Sequence, residues 1–153
     1  MTEGRSPNMG QNGPFLPRKM ALESLIRTLV EEHVTMKEGI SKAREAVEKR
    51  DFVALLKVLR GLDSLFRQHI ADEESTILRM LIGEFGVKGA EEEIRVFQQH
   101  RPIYRLMQKI SKFASMSDAE LQVSQEELRD LFEKHALAEE RMVFPKTESL
   151  LVK

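Results

Sequence analysis

The sequence contains no cysteine. That one absence excludes disulfides, thiolate metal sites, iron–sulfur ligation and cysteine nucleophiles together. Tryptophan is also missing and tyrosine occurs once, as Tyr104, so few rings are available to stack on nucleic-acid bases. No sign of charge dominates: 24 Lys and Arg stand against 25 Asp and Glu, a formal net charge of -1. This balance gives no electrostatic reason to expect nucleic acid or an anionic membrane as a partner. No apolar run approaches the roughly 18 residues that span a bilayer. The opening stretch, rich in Gly, Pro and Asn, has no apolar core of the signal-peptide kind. These features lead us to expect a cytoplasmic protein with a flexible tail over residues 1–18 and one compact domain over 19–153.

Beyond the tail, Gly and Pro are scarce, and Leu, Glu, Lys, Arg, Ala and Met dominate. The spacing predicts four helices. The first runs from about Lys19 to Lys49, with Leu22, Leu25, Ile26, Leu29, Val30, Met36 and Ile40 on one stripe. Asp51 is placed to cap the second, whose stripe is Leu55, Leu59, Leu62, Leu65, Phe66, Ile77 and Leu81. Gly83, Gly86 and Gly89 mark a loop before a third helix carrying Val96, Phe97, Ile103, Met107 and Ile110. A polar break over 115–124 follows. Ser124 with Glu127 then reads as a capping box for a fourth helix bearing Leu128, Leu131, Phe132, Met142 and Val143. Short links between four such helices predict an all-α, antiparallel up-down-up-down four-helix bundle. Pro102 and Pro145 fall inside helical stretches, where each removes a backbone donor and should bend or open its helix.

Only four histidines occur, one per predicted helix: His33, His69, His100 and His135. Each lies on an apolar stripe, so all four should point into the bundle. His69 is followed at i+4 by Glu73, and His135 by Glu139. Residues four apart share one helix face about 6 Å apart along the axis, so imidazole and carboxylate can reach neighbouring metal ions. A carboxylate on an apolar stripe is costly without a partner. Imidazole with carboxylate and no thiolate suits iron, manganese or zinc. Six ligands are too many for one tetrahedral zinc, and neither the zincin His-Glu-x-x-His nor the ferritin-type Glu-x-x-His occurs. Two metals fit the count: two histidines each, with Glu73 and Glu139 bridging. A metal-free bundle, its histidines hydrogen-bonded to the glutamates, is the competing structural reading.

The order His, His-x-x-x-Glu, His, His-x-x-x-Glu, with "HALAEERMVFP" and its weaker copy "HIADEESTILRML", resembles the hemerythrin-like, HHE cation-binding family over residues 19–153. The resemblance implies a non-haem di-iron centre with carboxylate bridges and an oxo or hydroxo bridge. The chain departs from the oxygen-carrying hemerythrins in lacking a fifth histidine, since His100 has Tyr104 at +4 and Val96 at −4. It also has Glu140 beside Glu139 where those carriers place an aspartate. Four histidines and two glutamates look more like the di-iron proteins linked to nitric-oxide stress and iron–sulfur-cluster repair. Five-coordinate irons on this ligand set would each keep a position for a small molecule. The function implied is binding or reaction with dioxygen, nitric oxide or hydrogen peroxide, served by an electron-donor protein. The alternative is a non-enzymatic iron or oxygen sensor, or an iron-handling protein of the iron–sulfur-cluster-repair kind. Tyr104 stands at the vacant histidine position, as a candidate ligand or hydrogen-bond donor to the site or as a packed core tyrosine. Glu74 and Glu140 are candidates for orienting the histidines, or for plain surface charge.

Overall fold

The computed structural model describes residues 15–151, and its regular structure there is entirely helical, with no strand among the described residues. Four helical arms follow one another along the chain. The first is α1 (Leu22–Glu48), which ends in a tight turn: Arg50 adopts φ 54°, and the Asp51 N–H returns to the Ala46 carbonyl. As its sequence predicts, Asp51 caps the next helix, accepting at Oδ1 from the Ala54 N–H at 3.1 Å. The second arm comprises α2 (Phe52–Asp72), a π-helical stretch over Glu73–Leu78, and α3 (Arg79–Gly89). Arm three is α4 (Glu91–Gln98) and α5 (His100–Ser111), broken at Gln99. The fourth is α6 (Asp118–Ala138), a second π-helical stretch over Glu139–Val143, and α7 (Phe144–Glu148).

Two boundaries differ from the sequence expectation. The glycine loop shrinks to one residue: Gly86 alone takes a positive φ, 76°, whereas Gly83 and Gly89 lie within α3. The fourth arm starts earlier than Ser124. Ser117 and Glu120 form the reciprocal capping box, with Glu120 N–H to Ser117 Oγ at 3.1 Å and Ser117 N–H to Glu120 Oε1 at 2.9 Å. Ser117-x-x-Glu120 is the same pattern one step upstream, and Leu121 extends the buried stripe, so helix forms through the polar stretch. Ser124 is consequently buried inside α6, and Glu127 is exposed on it.

Helices α1 and α2 pack closely because Gly39 has no side chain: a Cβ there would lie 2.6 Å from Leu62 Cδ2. The interior divides into two apolar clusters. One contains Met36, Ile40, Leu55, Leu62, Phe66, Ile103, Leu121 and Phe132. The other contains Leu25, Leu29, Ile77, Leu81, Val96, Phe97, Val143 and Phe144. On every arm the histidine falls in sequence between residues of the two clusters, so a polar layer separates them.

No helix among the described residues is long and apolar enough to cross a membrane. Residues 1–14 of the expected tail lie outside the described residues. Its last part lies against the second arm: Gln68 Nε2 donates to the Leu16 carbonyl at 2.9 Å, and the Arg18 backbone N–H donates to Asp72 Oδ1 at 2.7 Å.

Candidate metal centre

The structure brings His33, His69, Glu73, His100, His135 and Glu139 together in the layer between the clusters. None is more than 3% exposed, so water cannot solvate the two carboxylates. Their ligand atoms form two groups, His33–His69–Glu73–Glu139 and Glu73–His100–His135–Glu139, each gathered within 4.8 Å. Both carboxylates belong to both groups. Glu73 presents Oε2 to His69 Nε2 at 2.9 Å and Oε1 to His100 Nε2 at 2.8 Å. Glu139 presents Oε1 to His33 Nε2 at 2.8 Å and Oε2 to His135 Nε2 at 2.9 Å.

All four Nε2 atoms face inward, and all four Nδ1 atoms face outward to an acceptor at 2.7–2.9 Å: Glu140 for His33, Glu32 for His69, Glu74 for His100 and Gln99 for His135. An acceptor at Nδ1 keeps the proton there and leaves the Nε2 lone pair free, which is the tautomer a metal requires. Glu74 and Glu140 thus orient histidines rather than serving as plain surface charge. Glu32 and Gln99 do the same work, and nothing in the sequence marks them beyond their place one residue before His33 and His100.

Local backbone explains how each side chain arrives. Each π-helical stretch opens on a Glu-Glu pair, Glu73–Glu74 or Glu139–Glu140. Successive helical residues diverge by about 100°, which suits an imidazole wedged between them: Glu73 and Glu74 take the two nitrogens of His100, and Glu139 and Glu140 those of His33. Pro145 follows the second π-helical stretch, but the second arm has the same feature with no proline, so the feature does not require one. The helix opening expected near Pro102 falls just upstream, at Gln99, whose amide oxygen accepts from His135 Nδ1.

The second and fourth arms are near copies. Each reads Phe-x-x-His-x-x-x-Glu-Glu, from Phe66 to Glu74 and from Phe132 to Glu140. Phe66 meets His100 edge-on and Phe132 meets His33 edge-on, both at 5.9 Å between centroids. The site therefore has an approximate two-fold symmetry relating arms one and two to arms three and four.

The donor set fits a cation. His69 Nε2, Glu73 Oε2, His135 Nε2 and Glu139 Oε2 are buried with no hydrogen-bond partner, although each nitrogen lies 2.9 Å from one of these oxygens. Lone pairs that converge without hydrogen-bond alignment are costly unless a positive charge sits between them. Without metal, protons must supply that charge. Burial alone would lower the His69 pKa, but the charge of Glu73 and the nearby carboxylates of Glu139 and Glu32 hold it well above the ordinary histidine value. His100 is likewise pushed well up, against burial, by Glu139, Glu73 and Glu74. Glu139 is held well below the usual carboxylate range, burial notwithstanding, by the charge on His135 and by the imidazoles of His100 and His33 beside it.

Tyr104 stands outside both groups. Its hydroxyl accepts from Arg67 Nε at 3.1 Å and Nη2 at 2.5 Å, and it shares with Phe15, Arg67, Ile70 and Glu74 the wall of a surface pocket of about 440 Å³. Beyond the site, Arg18 joins Glu32 Oε2 and Asp72 Oδ2, each at 2.8 Å, and so ties the N-terminal segment to the acceptor of His69.

Compared with known proteins, the chain matches no family model, no curated protein and no solved structure.

Proposed function

We propose that the protein is a hemerythrin-like, non-haem di-iron protein, built as an antiparallel up-down-up-down bundle, that binds or reacts with dioxygen, nitric oxide or peroxide. The observation that carries this reading is the pair of ligand groups that share the carboxylates of Glu73 and Glu139, each of which turns one oxygen toward each histidine pair. Each group offers two imidazole nitrogens and two carboxylate oxygens, a hard and borderline donor set suited to iron, with manganese or zinc able to take the same ligands. Two irons, when bound, supply redox chemistry and coordination positions that protein atoms leave free.

The residues of the chain do the rest. Glu32, Glu74, Glu140 and Gln99 fix the imidazole planes through Nδ1, and apolar clusters on both sides keep bulk water out. Buried Phe132 and Phe144 pack against His33, and buried Phe66 and Phe97 against His100. An electron-donor protein would be needed for turnover. A second reading, a non-enzymatic iron or oxygen sensor, is favoured by the contact running from Arg18 through Glu32 to His69, which connects the N-terminal segment to the site.

The test is the visible spectrum of aerobically purified protein before and after azide, nitric oxide and peroxide. Ferric absorption that shifts with these ligands is expected. A metal-loaded protein whose spectrum ignores all three would overturn the ligand-binding reading.

A further inference from the structure

Around the histidines, the two-fold symmetry of the site is broken most clearly at one pair of outer partners. His33 and His100 match in detail. Each has a carboxylate on Nδ1 (Glu140 at 2.7 Å, Glu74 at 2.8 Å), a stacked phenylalanine (Phe144, Phe97) and an edge-on one (Phe132, Phe66). The spacing within each histidine pair matches too, 4.9 Å for His33–His69 and 4.8 Å for His100–His135. The outer partners of His69 and His135 differ. His69 Nδ1 donates to the Glu32 carboxylate at 2.8 Å, whereas His135 Nδ1 donates to the Gln99 amide oxygen at 2.9 Å.

An imidazole whose far nitrogen donates to a carboxylate is a stronger metal ligand than one that donates to a neutral amide. Arg18 pairs with Glu32, but Asp72 shares that guanidinium, so the group of three keeps one net negative charge beside His69. Resting on the two-metal reading, we infer that the two ligand groups are unequal, that the His33–His69 group takes the first divalent cation, and that Gln99 is the positioning residue that makes the His100–His135 group the weaker one. Outer partners of ligating histidines are worth about 10- to 100-fold in metal affinity, so the preference should fall in that range.

The probe is Co(II), added to chelator-stripped protein. At one equivalent, anomalous diffraction should place most of the cobalt with His33 and His69. The exchange Glu32→Gln with Gln99→Glu conserves net charge and should move the first equivalent to His100 and His135, which a merely structural role for Gln99 would not do. Thermal melts confirm that the exchanged protein is folded. If it is not, the wild-type occupancy alone decides. An even split of the first equivalent, or occupancy of His100–His135 in the wild type, would overturn the inference. Failure to bind a second equivalent at any cobalt excess would instead refute the two-metal reading beneath it.

Discussion

The two apolar clusters and the layer between them are held together by different physics. In the clusters, Leu55, Leu81, Ile103 and Val143 are fully buried hydrocarbon, stabilised by removal from water with no direct dependence on pH or on metal. In the layer, four imidazoles and two buried carboxylates gain stability only when positive charge lies among them. The clusters hold the arms in place with or without metal. The layer is conditional on its occupant, so it can respond to one.

Removing metal should separate the two regions most. A chelator takes away a ligand of the folded state alone, and with free metal a thousandfold above Kd that ligand contributes about 4 kcal/mol. For a chain of this size the melting temperature should drop by roughly 8–16 °C. Calorimetry with and without chelator reads it, and coincident melts would mean the layer needs no metal. Next in size, Leu55→Ala opens a cavity within one cluster and should cost about 3 kcal/mol in loaded and stripped protein alike, with metal content unchanged. Glu139→Gln should do the reverse, lowering metal content while leaving the cluster packing intact. If urea unfolding and metal analysis show Leu55→Ala shedding metal, the regions are not independent.

The response to pH should have opposite sign with and without metal. In stripped protein His69 and His100 have raised pKa values, so their contribution is complete below the ordinary histidine value, about 6.5, and is lost as pH climbs through the folded-state values. Glu139 is depressed, so its contribution holds above the ordinary carboxylate range and fades only on acidification. In loaded protein the metal competes with those same histidine protons, so its hold tightens as pH rises. Melting temperatures of stripped protein should therefore fall as pH rises above about 6.5, while those of loaded protein do not. Parallel curves would contradict this. The smallest effect expected lies outside both regions: Ser117→Ala removes the capping box of α6 and should cost about 1 kcal/mol, read by urea unfolding, with no change in metal content.

Much of this was legible in the sequence because periodicity reports which face is buried. Stripes such as Leu25–Leu29–Met36 and Leu55–Leu59–Leu62 placed the helices, and the six inward residues declared themselves as polar groups on those stripes. Gly39 and Gly86 were harder, since only the packed structure distinguishes a close approach or a positive φ from a glycine that is simply helical. The start of the fourth arm is ambiguous in the sequence because Ser117-x-x-Glu120 and Ser124-x-x-Glu127 are the same local signal, and Leu121 decides between them only once the bundle exists. Glu32 and Gln99 were not legible at all. Their role depends on a histidine 36 or 37 residues away, on another arm, and no local pattern encodes that meeting.

The most direct test is the metal content of the purified protein after it is saturated with Fe(II) without oxygen and freed of excess. The account predicts close to two irons per chain, falling sharply in Glu139→Gln. A chain that keeps no metal, yet stays folded with an unchanged melting temperature, would contradict it and leave the layer as a hydrogen-bonded part of an ordinary bundle.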